Sequence, residues 1–269
     1  MSVAIHAFDL KAYQTDMEYI PQKPNVTEAE YWEKYYDDSE VTYEWNNGEL
    51  EEKGVSDLVT MLMADWFYEL LGYYLKTHPI ATKTFLEMGF NLTLPQKNEV
   101  RRPDFGIVLN QNPIPFRPLD RSYQGTFDLC VEAISNSKIT DIKRDTEDKW
   151  LEYAKGGVKE YYILDGHHRY TAFYRRNKRG VYVPIKPKKD NIIQSTELPG
   201  FQFRISDLSD QPSPEQMIDN PVYQHFVLPG YSKAKQQAEI EKKARQEAEQ
   251  RAERLAQKLR ALGIDPDEI

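Results

Sequence analysis

One acidic residue interrupts an apolar stretch near the middle of the chain. The segment that starts at Phe127 reads FDLCVEAI, and Glu132 stands between Val131 and Ala133 within it. A nearly continuous apolar run of this length predicts a central strand covered on both faces. A carboxylate buried there is costly unless a cation or hydrogen bonds compensate it. Two arrangements are possible. Glu132 lies at the end of the strand, where it reaches water or a partner Arg, or it is buried and the fold supplies cations and hydrogen-bond donors around it.

The elements predicted around this strand alternate between strands and helices. Tyr43 and Trp45 alternate with polar residues before an Asn46-Asn47-Gly48 turn, which predicts a hairpin. Apolar residues spaced by three and four predict a helix from Ser56 or Asp57 to about Lys76. The remaining predicted elements are strands at 82–90, 105–109, 127–134, 160–164, 170–175, 180–185 and 201–205, a helix at 142–154, and a Pro-rich loop at 110–123.

The composition divides the chain into four parts. Residues 1–40 form an acidic N-terminal extension, residues 41–208 the main domain, and residues 209–231 a Pro-rich linker. Residues 232–269 are rich in Ala, Glu, Gln, Lys and Arg, which are strong helix formers and predict one long charged helix. Leu255, Leu259 and Leu262 have heptad spacing, but the earlier seam positions are small or charged. A solvated helix and a dimeric coiled coil both fit this pattern.

The charge distribution is uneven along the chain. The net charge of −8 arises in residues 1–60, which carry 14 acidic and 4 basic side chains, while the remainder is close to neutral. A polyanionic ligand is therefore compatible with residues beyond 60, although a binder of duplex DNA usually has a clearer basic surface. Cys130 is the only cysteine, which excludes an internal disulfide. No apolar run approaches the ~20 residues of a membrane helix, so we expect a cytoplasmic protein.

The sequence lacks the motifs of several common catalytic sites. No histidine cluster or cysteine pair has the spacing of a zinc site. No Gly-rich phosphate loop and no Gly-x-Ser-x-Gly elbow occurs. The sequence therefore gives no support for a kinase, an ATPase, a dehydrogenase or a serine hydrolase.

Carboxylates and a lysine near predicted strand ends suggest a different chemistry. Asp104 follows Pro103 just before a predicted strand, while Asp145 and Lys149 lie four residues apart on one helix. Each has an ordinary explanation, because Pro-Asp is a common turn and the i,i+4 pair is worth only ~0.3 kcal/mol on a helix surface. Together with Glu132 they offer hard oxygen ligands, which suit Mg²⁺ or Mn²⁺.

A set of short motifs resembles a known family. The Pro103-Asp104 pair followed by Glu132-Ala133-Ile134-Ser135 resembles the PD-(D/E)XK nuclease superfamily, and more narrowly the bacterial restriction-endonuclease family called Uma-two. The motifs are Tyr43-Glu44, Gly48-Glu49-Leu50, Arg102-Pro103-Asp104, Val131 to Ser135, Asp145 with Lys149 and Tyr153, Gly157-Val158, Glu160-Tyr161 and Leu198 to Phe201. The resemblance implies an α/β fold with a restriction-endonuclease-like mixed β-sheet core flanked by helices.

One position departs from the superfamily pattern. A lysine is expected two residues after the glutamate, where this chain has Ile134. The resemblance places the lysine on the following helix instead, at Lys149, with Asp145 one turn before it. Lys143 is the other nearby lysine.

The resemblance also implies roles for individual residues. Asp104 and Glu132, with the carbonyl of Ala133, would hold Mg²⁺ or Mn²⁺, and Lys149 would act on the attacking water or the phosphate. Asp145 would orient Lys149, and Glu49 would supply a further acid. Four basic residues would contact phosphates of the nucleic acid backbone, namely Arg101, Arg102, Lys143 and Arg144. The implied function is metal-dependent endonucleolytic hydrolysis of DNA.

An alternative comes from a different class of protein. The absent lysine at position 134 and the weak basic surface also fit a catalytically inactive nuclease fold. Such a protein would act as a binding or assembly module. Its acidic N-terminus and its C-terminal helix would dock a partner protein, or the helix would pair with a second copy in a homodimer. The sequence does not distinguish DNA from RNA as the substrate.

Overall fold

The computed structural model describes residues 25–37, 39–85 and 88–261, and the fold is given for these residues. Most of the predicted acidic extension lies outside them, as does the heptad position Leu262. Twelve strands are found in the described ranges: β1 (Tyr43–Asn46), β2 (Glu49–Glu52), β3 (Ala81–Lys83), β4 (Phe90–Thr93), β5 (Asn98–Arg101), β6 (Phe105–Leu109), β7 (Leu129–Ala133), β8 (Glu160–Leu164), β9 (Ala172–Arg176), β10 (Tyr182–Pro184), β11 (Ile192–Gln194) and β12 (Gln202–Arg204).

The helices follow the same chain order. They are α1 (Glu28–Glu30, continued by a π turn at Tyr31–Tyr35), α2 (Leu58–Thr77), α3 (Ile139–Lys143), α4 (Lys149–Gly156), α5 (Asp207–Asp210), α6 (Pro214–Ile218) and α7 (Pro229–Ala261). A short 3₁₀ turn lies at Lys189–Asn191. Asp57 caps α2, accepting a hydrogen bond from the backbone N–H of Thr60. The predicted helix is therefore confirmed, and of the two predicted caps, Ser56 and Asp57, it is Asp57 that caps it.

A six-stranded mixed sheet forms the centre of the fold. Its strand order is β10-β9-β8-β7-β6-β3, and β7 and β8 are its parallel pair. Every other pairing in this sheet is antiparallel. Parallel neighbours need a crossover connection, and here α3 and α4 provide it. The helix that carries Lys149 is thereby packed against the strand that carries Glu132.

The crossover helix contains a π turn. Residues Arg144–Asp148 join α3 to α4, and the backbone N–H of Lys149 bonds the carbonyl of Arg144, five residues back. The hydroxyl of Tyr161 in β8 donates to the carbonyl of Asp145 at 2.7 Å, satisfying a carbonyl inside the turn. Gly157, at φ 99°, ends α4 in the left-handed conformation that favours glycine.

The predicted hairpin is confirmed and belongs to a second sheet. Asn47 and Gly48 both have positive φ, as a two-residue turn between β1 and β2 requires. This sheet has the order β2-β1-β5-β4. Leu92 of β4 contacts α4 at Gly156, so α4 lies between the two sheets.

Both faces of the six-stranded sheet are buried, as the apolar sequence of β7 and β8 predicts. In β8, Tyr162 and Leu164 face a core formed with α2, α5 and α6, while Tyr161 and Ile163 face a core formed with α4 and β4. Alternate residues of a strand point to opposite faces. Cys130 faces the α4 side, so Glu132, two residues later, does so as well.

The interpretation of residues 209–231 as a linker is corrected by the structure. Met217, Val222, Tyr223 and Phe226 are buried in the core on the α2 side. The indole N–H of Trp66 also donates to the carbonyl of Pro212. Short helical turns between prolines leave no long periodicity, which is why the sequence resembles a linker although the segment completes the core.

Helix α7 extends from the domain into solvent. Its side chains beyond Tyr231 are almost all exposed among the described residues, and Lys235 pairs with Asp219 at the surface. The predicted long helix is thus present, while its pairing into a coiled coil stays a prediction. Among the described helices, none is long and apolar enough to cross a bilayer.

We expect a protein that ends at Tyr231 to fold as stably as the full chain. The segment removed is exposed, and the surface pair it contributes is worth about 1 kcal/mol or less. Thermal denaturation followed by near-ultraviolet circular dichroism measures this. A protein that ends at Leu208 is the control, and it should lose cooperative unfolding because it lacks the buried residues of 209–231. Equal behaviour of the two truncations would contradict the revised boundary.

Candidate active site

Lys149 lies at the centre of a buried cluster of carboxylates. Its Nζ is 3.0 Å from Asp145 Oδ1, 3.0 Å from Glu132 Oε1 and 3.1 Å from Glu44 Oε1. Only 1% of the residue is exposed. Burial lowers the pKa of Lys149, but the three carboxylates outweigh burial and hold that pKa above its ordinary value. Lys149 therefore connects β7 of the large sheet, β1 of the small sheet and its own helix.

Glu132 is held from two sides at its buried position. The hydroxyl of Tyr153, one turn after Lys149 on α4, donates to Glu132 Oε1 at 2.8 Å. Burial raises the pKa of Glu132 to about 8, although Lys149 and Lys53 act to lower it. The alternative that Glu132 reaches water at the strand end is excluded, because the residue is 1% exposed.

Asp104 is brought beside Glu132 by strand register. Strands β6 and β7 pair Phe105 with Val131, so the residue before β6 lies next to Glu132. Asp104 Oδ2 accepts a hydrogen bond from the backbone N–H of Ala133 at 2.5 Å. Its side chain is 22% exposed, so this acid lies where the cluster opens to solvent.

Lys53 is a second lysine in the cluster. It directly follows β2, and its Nζ donates to Asp104 Oδ1 at 3.0 Å and to the carbonyl of Arg102 at 2.6 Å. The same Nζ lies 3.9 Å from Glu132 Oε2. Glu132 therefore faces Lys149 through one oxygen and Lys53 through the other.

Behind these residues, Arg101 forms a second buried ionic network. Its guanidinium binds both oxygens of Glu152, at 2.8 and 2.9 Å, and Glu44 Oε2 at 3.2 Å, and it also pairs with Glu51. Burial raises the pKa of Glu44, but Lys149 and Arg101, with help from Lys53 and Arg144, hold it below the ordinary range. Glu44 is thus ionised and shared between the two networks.

The structure brings four of the predicted site residues together, namely Asp104, Glu132, Asp145 and Lys149. It does not bring Glu49 to them. Glu49 is exposed beside the hairpin turn, paired in register with Asn46. The acid that the hairpin delivers is Glu44, two residues further from the turn than Asn46. At ~3.3 Å per residue, that spacing separates the two positions by roughly 7 Å along the strand.

The four basic residues predicted to contact phosphate differ in position. Arg101 is completely buried, and Arg144 is buried with hydrogen bonds to Asp141 and the carbonyl of Glu52. These contacts argue against phosphate binding by Arg101 and Arg144, since both guanidinium groups are already bound to groups of the protein itself. The guanidinium of Arg102 stacks over Tyr36, and Lys143 is exposed. For Arg102 and Lys143 the phosphate contact stays a prediction.

Three residues of the cluster had no predicted role: Glu44, Lys53 and Tyr153. Glu44 stands between Tyr43 and Trp45, and the buried neighbour Trp45 signals that this strand is covered on both faces. Tyr153 follows Lys149 by four residues, which places it on the same side of the helix. For Lys53 the sequence contains no comparable signal, because its position depends on how the hairpin docks against Asp104.

The donor set suits a hard divalent cation. Asp104 Oδ1 and Glu132 Oε2 approach one point, where a positive group, the ammonium of Lys53, already lies. Within the described ranges, no set of three or more His, Cys, Asp or Glu side chains is arranged to hold a metal ion. Mg²⁺ is commonly bound by one or two carboxylates and several waters, so two acids suffice. The carbonyl of Ala133, also predicted as a ligand, accepts a hydrogen bond from Ser56.

The mixed sheet, its crossover helix and the acids at the ends of β6 and β7 define a restriction-endonuclease-like α/β fold. A family whose description is "Putative restriction endonuclease" matches residues 28–206, two thirds of the chain. The protein therefore belongs to this family, Uma2 (Uma-two), which places it with the nucleases, a class of hydrolases.

A solved structure supports the fold independently. A protein from Anabaena variabilis, described as "a putative nuclease belonging to DUF820", aligns with a TM-score of 0.54 at 14% identity. The alignment covers 68% of this chain and 97% of that one. Among curated proteins, none matches this sequence.

Replacing Lys149 with Met should destabilise the protein by roughly 3–5 kcal/mol, because Glu44, Glu132 and Asp145 would share a buried site without its central cation. Urea denaturation measures the free energy of unfolding. Lys143→Met is the matched control, since it removes an exposed lysine from the same crossover and should change stability by less than ~0.5 kcal/mol. Similar stabilities of the two variants would contradict the central role of Lys149.

The stability that Glu44 contributes should depend on pH in a defined direction. The pKa of Glu44 is lower in the folded protein than in the unfolded chain, so its contribution is complete above the unfolded value of about 4.3 and is lost as the pH falls below it. The difference in unfolding free energy between the wild type and Glu44→Gln should therefore shrink from pH 6 towards pH 3. A difference that stays constant over this range would refute the assignment.

Proposed function

We propose that this protein is a metal-dependent endonuclease that hydrolyses phosphodiester bonds of DNA. The observation that supports the proposal most directly is the convergence of Asp104 and Glu132 on one point at the ends of adjacent strands. Membership of the Uma2 family supports the reaction class. The choice of DNA rests on the family description, which names restriction endonucleases.

In this proposal, Asp104 and Glu132 hold Mg²⁺ or Mn²⁺. When bound, the ion would lower the pKa of a water ligand and polarise a phosphate oxygen. Asp104 is fixed for this task by the N–H of Ala133, and Glu132 by Tyr153 and Lys149. The two carboxylates therefore need little rearrangement to present oxygens at the opening of the cluster.

We assign Lys149 to positioning Glu132. Its ammonium contacts three carboxylates and is almost completely buried, so it lies behind the acids and away from the solvent side. This differs from the role that the resemblance implies, in which the lysine acts on the water or the phosphate. Asp145 and Glu44 in turn hold Lys149, which keeps its charge where it orients Glu132.

The phosphate backbone would be contacted outside this buried cluster. Lys143 is exposed on the crossover helix, and Arg102 is half-buried beside Asp104. Contacts of this kind position a nucleic acid without reading its sequence. We therefore propose Lys143 and Arg102 as backbone contacts and leave out Arg101 and Arg144, whose charges are used internally.

The test is cleavage of supercoiled plasmid DNA at low salt, with Mg²⁺ or Mn²⁺ and with chelator. We expect metal-dependent nicking, and a loss of about a hundredfold or more in Asp104→Asn and in Glu132→Gln. Glu49→Gln is the matched control, since it neutralises an exposed acid of the hairpin and should cut like the wild type. A single-stranded RNA of similar length, assayed in parallel, tests the choice of DNA.

Two results would contradict the proposal. Cleavage that survives both Asp104→Asn and chelation would place the chemistry elsewhere. Absence of cleavage with every metal and substrate, in a protein shown to be folded, would favour the alternative of a binding or assembly module. The solvent-exposed helix α7 would then be the segment to examine for partners.

A further inference from the structure

A positively charged side chain of the protein, that of Lys53, already lies at the candidate metal site. Within the described ranges, the ammonium of Lys53 lies near oxygens of Asp104 at 3.0 Å, of the carbonyl of Arg102 at 2.6 Å and of Glu132 at 3.9 Å. The side chain is only 8% exposed. Oxygen donors from several segments surround Lys53 in the way that they surround a bound cation.

Lys53 differs from Lys149 in the carboxylates it contacts. Lys149 lies behind Glu132 and is bound to Oε1, while Lys53 lies on the side of Asp104 and faces Oε2. A divalent ion bound by Asp104 and Glu132 would occupy this same side. An ammonium and a dication cannot share that point, because like charges at such a separation repel strongly.

The ammonium of Lys53 can move without a movement of the backbone. Its charge is carried on a flexible four-carbon stem that lies just beyond the end of β2. Asp104, to which it donates a hydrogen bond, is 22% exposed at the opening of the cluster. Lys149 is held by three buried carboxylates and has no comparable route to solvent.

We propose that Lys53 is a built-in competitor of the divalent cation, which must displace its ammonium from Asp104 and Glu132 before it binds. The inference rests on the proposed function, because it places the metal at these two acids. The apparent affinity for metal is then the intrinsic affinity multiplied by the share of molecules in which the ammonium has left the site. A polyanion that offers the displaced ammonium a new partner would favour the exchange.

The experiment is titration with Mn²⁺ alone, followed by isothermal calorimetry and by the metal-induced rise in melting temperature. We expect Lys53→Met to bind Mn²⁺ about tenfold or more tightly than the wild type. Lys138→Met is the control for removing a nearby positive charge, because Lys138 pairs with the adjacent Glu52 but is 62% exposed. That control should change the affinity less than about twofold.

Lys53→Met removes a cation from beside Asp104 and Glu132, so its melting temperature without metal should lie below that of the wild type. Added Mn²⁺ should then raise it by more than it raises the wild type, which keeps the test valid for a destabilised variant. The double variant Lys53→Met, Asp104→Asn should lose the gain in affinity, since one of the contested carboxylates is gone.

The outcomes separate the two proposals. Binding of Mn²⁺ by the wild type through Asp104, with no gain in Lys53→Met, would overturn the competition and leave the proposed metal site intact. Equal gains in Lys53→Met and Lys138→Met would also overturn it, because only the general charge of the surface would then matter. No binding by any of the variants would overturn both proposals.

Discussion

The structure depends on one buried ammonium and the three carboxylates around it. Lys149 contacts Glu44, Glu132 and Asp145 at 3.0 to 3.1 Å, and these acids come from the small sheet, the large sheet and the crossover helix. Charges are taken out of water at high cost, and only good geometry with further hydrogen bonds repays it. Arg101 and Tyr153 provide those additional bonds. The interaction that joins the two sheets to the crossover therefore also fixes Glu132 of the candidate site, so stability and function are difficult to change separately.

The position of α4 between two sheets explains why these groups meet. A parallel pair of strands requires a crossover, and the crossover places a helix over β7 on the face where Glu132 points. The hairpin sheet covers the other side of that helix and delivers Glu44. Neither sheet alone would enclose Lys149, because Glu132 comes from the large sheet, Glu44 from the small sheet, and the third carboxylate, Asp145, from the π turn that precedes α4. The restriction-endonuclease-like α/β fold and the geometry of the candidate site thus both result from the packing of α4 between the two sheets.

Local sequence patterns predict the elements well and the tertiary contacts only in part. The apolar run of β7, the Asn-Gly turn and the cap at Asp57 are each determined by neighbours in sequence, and the structure confirms all three. The acids Asp104 and Glu132 stand out because a carboxylate in or beside an apolar strand needs compensation. Glu44 and Lys53 do not stand out, since their roles depend on the docking of a hairpin against a distant strand. The prediction for Arg101 fails for the same reason, because a basic residue at a strand end resembles a surface contact until its acidic partners Glu44, Glu51 and Glu152 are known.

The π turn at Arg144–Asp148 determines the directions in which the side chains of α4 point around the helix axis. Successive residues of an α-helix are rotated by about 100°, so one residue more or fewer before Lys149 turns its side chain by roughly that angle. The extra residue of a π turn makes this adjustment within a continuous helix, and Tyr161 stabilises it through the carbonyl of Asp145. An insertion or deletion of one residue between β7 and Lys149 would therefore turn the ammonium away from Glu132, so the length of this segment is constrained as well as the identity of the lysine.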